Sequence, residues 1–206
     1  HKTGTTTLRE ALKILGYRVA DNKPGLLIPI LKKRYDYVMR RLDPYQACED
    51  LPWNRLYPVI DQYFDNTKFI LTVRDAEAWY ASVSHHIGDL RSPMHEWLYG
   101  RGKGLPKEDK AHALKVYQDH NQAVKTYFKD RPEDLLEIDL AREKEPWQKL
   151  CHFLNLPVPD EPFPHYNNTA LGNTKQKPRW QKAVKKARKR LKCGIKNRYI
   201  DWKGLW

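Results

Sequence analysis

The stretch KFILTVRD, residues 68–75, constrains the fold more than any other in this chain. Phe69, Ile70, Leu71 and Val73 make a short, nearly continuous apolar run, as in a strand buried inside a parallel sheet. The run ends in Arg74-Asp75, and AEAWYASVSHHI (76–87) switches at once to helical spacing. DLLEIDL (134–140) is a second strand candidate, separated from the first by a polar helical region that includes a glycine-rich loop, GRGKG, at 100–104. Strands alternating with helices predict an α/β fold with a parallel sheet. The first strand of that sheet is expected before His1, outside this sequence.

Four further helices are read from spacing. Leu8, Ala11, Leu12 and Leu15 share one face of a helix over Thr5–Leu15, and Gly16 sits where a helix C-terminus favours glycine. A second helix runs from about Pro29 to Leu42 within an otherwise ambiguous 17–45. A third, in DLPWNRLYPVIDQYF, takes Asp50 as its cap with Pro52 in the first turn. Residues 145–155 form a fourth, amphipathic helix, followed by a proline-rich stretch, LPVPDEPFPHYN. The last element, PRWQKAVKKARKRLK, reads as a strongly basic helix.

A chain of 206 residues predicts one domain with a substantial core. No apolar run approaches the length of a transmembrane span, and no charged-then-apolar leader is present. The net charge of +13 is confined: residues 175–206 hold thirteen Lys or Arg and one acid, Asp201. Residues 1–174 hold 25 basic and 24 acidic residues, so the body is nearly neutral. A whole-surface nucleic-acid footprint is therefore excluded, although a nucleic-acid-binding module confined to 175–206 stays as one reading. Cys48, Cys151 and Cys193 are odd in number and widely spaced, which fits neither a disulfide framework nor a zinc site. A reducing compartment, the cytoplasm, is expected.

The opening HKTGTTTL runs a lysine, a glycine and four threonines straight into a helix. The unpaired N–H groups of a helix N-terminus suit an anion. Gly4 permits close backbone approach, Thr5 and Thr6 add hydroxyls, and Lys2 adds a full charge. The alternative is that Thr3 or Thr5 merely caps the helix and Lys2 is solvated. In a nucleotide-triphosphate loop the lysine follows the glycines, G-x-x-x-x-G-K-[ST]; here it precedes Gly4. A small-molecule kinase is disfavoured on that ground. At the second location, Arg74 stands at the end of the buried strand, where open α/β sheets bind ligands, and Ser82 follows two helical turns on. Pairing of Arg74 with Asp75 or Glu77 is the competing reading.

Together, Lys2-Thr3-Gly4-Thr5-Thr6 and Arg74/Ser82 resemble the two signatures of sulfotransferases that use 3′-phosphoadenosine 5′-phosphosulfate (PAPS). The chain is similar in particular to a subgroup of small members sharing HKTGTTTL, an acid-x-Pro segment, KFILTVRD with a following Trp-Tyr, and a stretch like LCHFLNLPVPDEPFPHYN; the likeness covers most of residues 1–168. The resemblance implies a three-layer sandwich, a central parallel sheet flanked by helices and P-loop NTPase-like. It implies that Lys2 stabilises the leaving phosphate, that Thr3, Gly4, Thr5 and Thr6 cradle the 5′-phosphosulfate, and that Arg74 and Ser82 hold the 3′-phosphate. Asp50 is implied as general base, with His85 and His86 as weaker candidates. The product is 3′,5′-ADP (PAP), the acceptor a small molecule or glycan, no nucleic acid is expected as partner, and no metal is required. Relatives also use an Arg-Lys-Gly for the 3′-phosphate; this chain offers Lys203-Gly204 without the arginine, or a basic residue from 175–182. Trp and Tyr residues at 79–80 and 97–99 either stack adenine, line the acceptor pocket or belong to the core.

Overall fold

The computed structural model describes residues 1–87, 90–165 and 179–206, with side chains in the last helix from residue 185 onward. In chain order the elements are α1 (Thr5–Ile14), β1 (Val19–Ala20), α2 (Leu27–Leu31), α3 (Tyr35–Met39), β2 (Ala47–Cys48), α4 (Tyr57–Tyr63), β3 (Phe69–Thr72), α5 (Ala76–Ile87), α6 (Pro93–Tyr99), α7 (Lys110–Tyr127), β4 (Leu135–Ile138), α8 (Pro146–Leu154) and α9 (Arg179–Trp202). The architecture is mixed α/β. Its described strands form two parallel pairs, β1–β2 and β3–β4, rather than one continuous sheet. The β3–β4 register runs from Phe69↔Leu135 to Thr72↔Ile138. Val73 extends the ladder by donating to the Ile138 carbonyl at 2.9 Å, so Arg74 lies just beyond the carboxyl end of the pair.

The expected helices at the chain start, after β3 and before the proline-rich stretch are all present. Leu8, Ala11 and Leu12 of α1 bury against Trp147, Leu150 and Cys151 of α8, which fixes both helices by their apolar faces. Each such leucine contributes roughly 1.5–3 kcal/mol when fully buried. Asn155 ends α8 in the left-handed conformation, a role Asn fills well.

Two expectations require correction. The single helix over 29–42 is broken into α2 and α3, with Lys33 at φ 53 between them. In a straight helix Met39 would point away from Ile30, nine residues earlier. The break lets Ile30, Val38 and Met39 bury in one cluster, so tertiary packing overrides helix propensity. The helix expected from Asp50 begins only at Tyr57, after a 3-10 turn over Trp53–Arg55. Asp50 is not its cap. Trp53 buries instead, its indole N–H donating to the Asp21 carbonyl at 3.0 Å, and the Leu51–Pro52 peptide is cis. The glycine-rich loop at 100–104 closes around buried Glu96, whose carboxylate accepts from the Gly102 and Gly104 N–H groups and from Arg91 at 3.1 Å.

His120 of α7 lies beside Tyr57, with ring centroids 6.2 Å apart. Burial, and then the nearby Arg55 charge, push its imidazole down to about 4 from an ordinary 6.5. The folded state therefore holds fewer protons than the unfolded one between those values, and stability rises with pH across that window. Acidification from about pH 6.5 to about pH 4 is expected to cost the fold ~1–3 kcal/mol through this residue. Urea unfolding of the His120→Gln variant should lack that part of the acid loss.

Candidate functional site

The opening loop is fixed against the carboxyl end of the β3–β4 pair by three contacts. Thr3 is buried and shares a hydrogen bond of 2.6 Å with the hydroxyl of Thr72, the last residue of β3. Gly4, at φ 95, lies over Leu140, whose Cδ1 would stand 3.1 Å from an added Cβ. The left-handed backbone and this close approach both require glycine. The carbonyl of His1 accepts from the Trp79 indole N–H at 3.0 Å.

Gly4 is the N-cap of α1, and no side chain caps that helix. The reading of Thr3 or Thr5 as a simple cap is thereby set aside. The Thr3 hydroxyl is spent on Thr72, and the Thr5 hydroxyl lies beside Glu49. Thr5 and Thr6 stand in the first turn of α1, three and four residues after Lys2.

Arg74 is positioned through its backbone. Its N–H donates to the Tyr117 hydroxyl at 2.9 Å, and that hydroxyl donates back to its carbonyl at 2.9 Å. Tyr117 stacks on Trp79 with centroids 4.4 Å apart. Trp79, 2 % exposed, is thus the common strut: it holds the opening loop on one side and, through Tyr117, the Arg74 backbone on the other. The competing partners of Arg74 are engaged elsewhere. Asp75 caps α5 through the Ala78 N–H at 2.9 Å, and Glu77 pairs with Lys110 at 2.8 Å. Neither Lys2 nor Arg74 forms an ion pair with a described residue, yet they sense each other. Burial first, and then the Arg74 charge, hold the Lys2 ammonium below its usual range, with Asp50 partly offsetting both.

β2 delivers the acids. Successive residues at a strand end alternate sides. Glu49 turns inward and is buried, its Oε1 accepting from Arg9 of α1 at 3.2 Å. Its other oxygen, Oε2, has no hydrogen-bond partner among the described residues. Burial and then Asp50 push this carboxyl up, while Arg9 and the Thr5 hydroxyl pull it down. Asp50 is half-buried at φ 64, its Oδ1 accepting the Leu51 N–H at 2.9 Å. Its charge also acts on Lys2, His86, His95 and Tyr99. The two residues read as catalytic, Lys2 and Asp50, both adopt positive φ, at 63 and 64. Strained backbone of this kind clusters at functional sites.

Ser82 is half-buried on α5, one turn before His86 and on the same edge of the helix. Desolvation and then the Lys2 charge hold His86 below its ordinary value, with Asp50 opposing, so this edge of α5 faces the same region. His85 is exposed. The aromatic residues divide: Trp79 and Tyr99 are buried, and the Tyr99 hydroxyl bonds the His1 ring nitrogen at 2.8 Å. Lys203 stands over the Trp202 ring at 4.0 Å. The basic residues of 175–178 and the side chains of 179–182 lie outside the described residues.

Sequence reasoning passed over Glu49, Trp79 as a strut, and Tyr117. Glu49 gave little signal, since the two-residue strand before it is too short to read and its partner Arg9 lies 40 residues away. Tyr117 gave none, since its role depends on a contact across 43 residues.

No curated protein matches this chain. A family model described as a sulfotransferase domain matches residues 1–102 and 94–171, which takes in the opening loop, the acids at 49–50, the β3–α5 segment and α8. The chain therefore belongs to the sulfotransferase domain family, and it is a transferase of sulfuryl groups.

Proposed function

We propose that this chain transfers the sulfuryl group of PAPS to a hydroxyl or amine of a small-molecule or glycan acceptor, releasing PAP. One observation carries the reading: two cations without ion-pair partners among the described residues, Lys2 and Arg74, stand with the N-terminus of α1, which no side chain caps, at the carboxyl end of a parallel strand pair. Cations left unpaired beside a helix N-terminus favour an anion with more than one charged group.

Lys2 would meet the bridging and 5′-phosphate oxygens as charge develops on the leaving phosphate. The N–H groups around Thr3 and Gly4, with Thr5 and Thr6, would cradle the phosphosulfate. Arg74 and Ser82 would hold the 3′-phosphate, the group that separates PAPS from ATP. In-line sulfuryl transfer spreads charge over equatorial oxygens, and catalysis rests on positioning and electrostatics. A sulfuryl group carries less charge than a phosphoryl, so Lys2 and the helix N-terminus can serve without a metal. Asp50 takes the acceptor proton in this scheme. Its field already reaches Lys2 and His86, and the backbone holds it at the strand end rather than in a helix cap.

Residues 1–206 act as one domain in this reading, in a three-layer, P-loop NTPase-like arrangement. The three cysteines are free, which suits the cytoplasm. Among the described residues no helix is long and apolar enough to cross a membrane.

Thermal stabilisation tests the donor. PAP should raise the Tm at concentrations where ATP with magnesium does not, because ligand linkage follows the ratio of concentration to Kd. Stabilisation by ATP–magnesium alone would overturn the reading in favour of a kinase.

A further inference from the structure

Helix α9 has an inner and an outer face with different chemistry. The inner face is anchored: Ile200 is fully buried with Leu27, Leu51 and Met94, Lys196 Nζ donates to the Pro24 carbonyl at 3.0 Å, and Asn197 reaches the Arg91 carbonyl at 3.5 Å. At 3.6 residues per turn, positions 191, 195 and 202 fall on the side opposite Ile200, and 199 lies at the flank of that side. They are Leu191, Ile195, Tyr199 and Trp202, exposed by 63, 54, 38 and 75 %. The other exposed large apolar residues among those described, Ile14, Tyr63 and Val158, are isolated on separate segments. Scattered apolar residues are ordinary, whereas four in one stripe are a surface with a partner.

The surroundings of the stripe identify that partner. Exposed Arg188, Lys192 and Arg198 border it. Asp201, the one acid of residues 175–206, lies off the stripe and is held by Arg101 and the Trp206 indole, each at 2.7 Å. A helix with an apolar stripe containing Trp and Tyr, rimmed by cations, matches the interface between water and anionic lipid. A nucleic-acid surface would be met by polar and basic side chains across the centre of the face, where Leu191 and Ile195 stand. A second copy of α9 would bring like charges together.

We propose that α9 docks flat on an anionic lipid bilayer, with Leu191, Ile195 and Trp202 entering the headgroup–acyl boundary and Arg188, Lys192 and Arg198 holding acidic headgroups. A helix so rich in Lys and Arg lies in the interface plane rather than crossing it. Tyr199 and Trp202 sit at headgroup depth, and Lys203, over the Trp202 ring, stays in water. This docking stands on the outer face of α9 and does not depend on the identity of the sulfuryl donor.

Co-sedimentation of the whole chain with phosphatidylcholine vesicles, with and without phosphatidylserine, tests it. The chain should bind the phosphatidylserine vesicles in preference, and less so as salt rises. The triple variant L191S/I195S/W202S should lower partitioning on the order of tenfold or more. R188Q/K192Q/R198Q should lower it on the order of a hundredfold, at ~1 kcal/mol per cation near an anionic surface. Circular dichroism and Tm establish that each variant folds. Trp202→Ser alone repeats the test by abolishing a vesicle-induced blue shift of tryptophan emission. Absence of binding to phosphatidylserine vesicles at low salt overturns the proposal. So does binding that the apolar triple leaves unchanged, tighter binding to duplex DNA or RNA than to the vesicles, or a wild-type dimer that the apolar triple dissolves.

Discussion

Lys2→Ala should lower the rate of PAP release from PAPS on the order of a hundredfold or more, while the protein stays folded. The argument starts from charge. Lys2 stands beside an uncapped helix N-terminus, in the field of Arg74, without an ion-pair partner among the described residues. A cation in that position gains little in the free protein: burial and Arg74 both work against its charge, and Asp50 only partly offsets them. The position becomes favourable when negative charge arrives, and most favourable when the leaving phosphate acquires more of it. Stabilisation that grows toward the transition state raises kcat rather than merely lowering KM. Removal should therefore act mainly on kcat, with Tm unchanged or slightly raised because a crowded cation is gone. Initial rates of PAP release and a melting curve on the same preparation check both parts. An alanine variant with full kcat would remove Lys2 from the chemistry.

Arg74→Ala should weaken PAP binding tenfold to a hundredfold, at ~1.5–3 kcal/mol for a charge-assisted hydrogen bond, and should leave 5′-AMP binding little changed. The contrast matters because the structure supports the Arg74 backbone independently of its side chain, through the paired Tyr117 hydrogen bonds. Truncation at Cβ leaves that support in place, so the loss reads the guanidinium alone. Ser82→Ala should show the same pattern with a smaller loss, as befits a neutral hydroxyl. Calorimetric titration with the two nucleotides measures this directly. Equal losses for both, or none for PAP, would take Arg74 away from the 3′-phosphate.

Those parts of the fold where one local rule acts without competition were legible in the sequence. The apolar run Phe69–Val73 supplied β3, Phe69–Thr72, as a short β-branched and aromatic run bounded by polar residues favours, and the following segment became α5 because its spacing changes at once. The opening loop was legible as well, since Gly4 is required by a left-handed backbone and by Leu140 above it. The segments 29–42 and 50–64 were not. There the backbone follows where Ile30, Met39, Leu51 and Trp53 must be buried, and that is decided by elements distant in sequence.

The site divides in the same way. Lys2, Gly4 and Arg74 announce themselves by residue type and local context. Glu49 was passed over because its burial and its pairing with Arg9 bridge 40 residues. Trp79 looked equally suited to stacking a base or filling the core, and its place, with the indole on His1 and its ring on Tyr117, assigns it to the core as the strut between the opening loop and the Arg74 segment. The C-terminal charge was visible as a total. The stripe of Leu191, Ile195, Tyr199 and Trp202 emerged only once the buried face of α9 was known.

The most direct measurement is transfer of label from sulfur-labelled PAPS. Incubated with the chain and a library of hydroxyl and amine acceptors, without added magnesium or ATP, the donor should yield a labelled acceptor and an equal amount of PAP, and Lys2→Ala should abolish both. Intact PAPS recovered across the library, together with acceptor-dependent turnover of ATP–magnesium by the same preparation, would contradict the account.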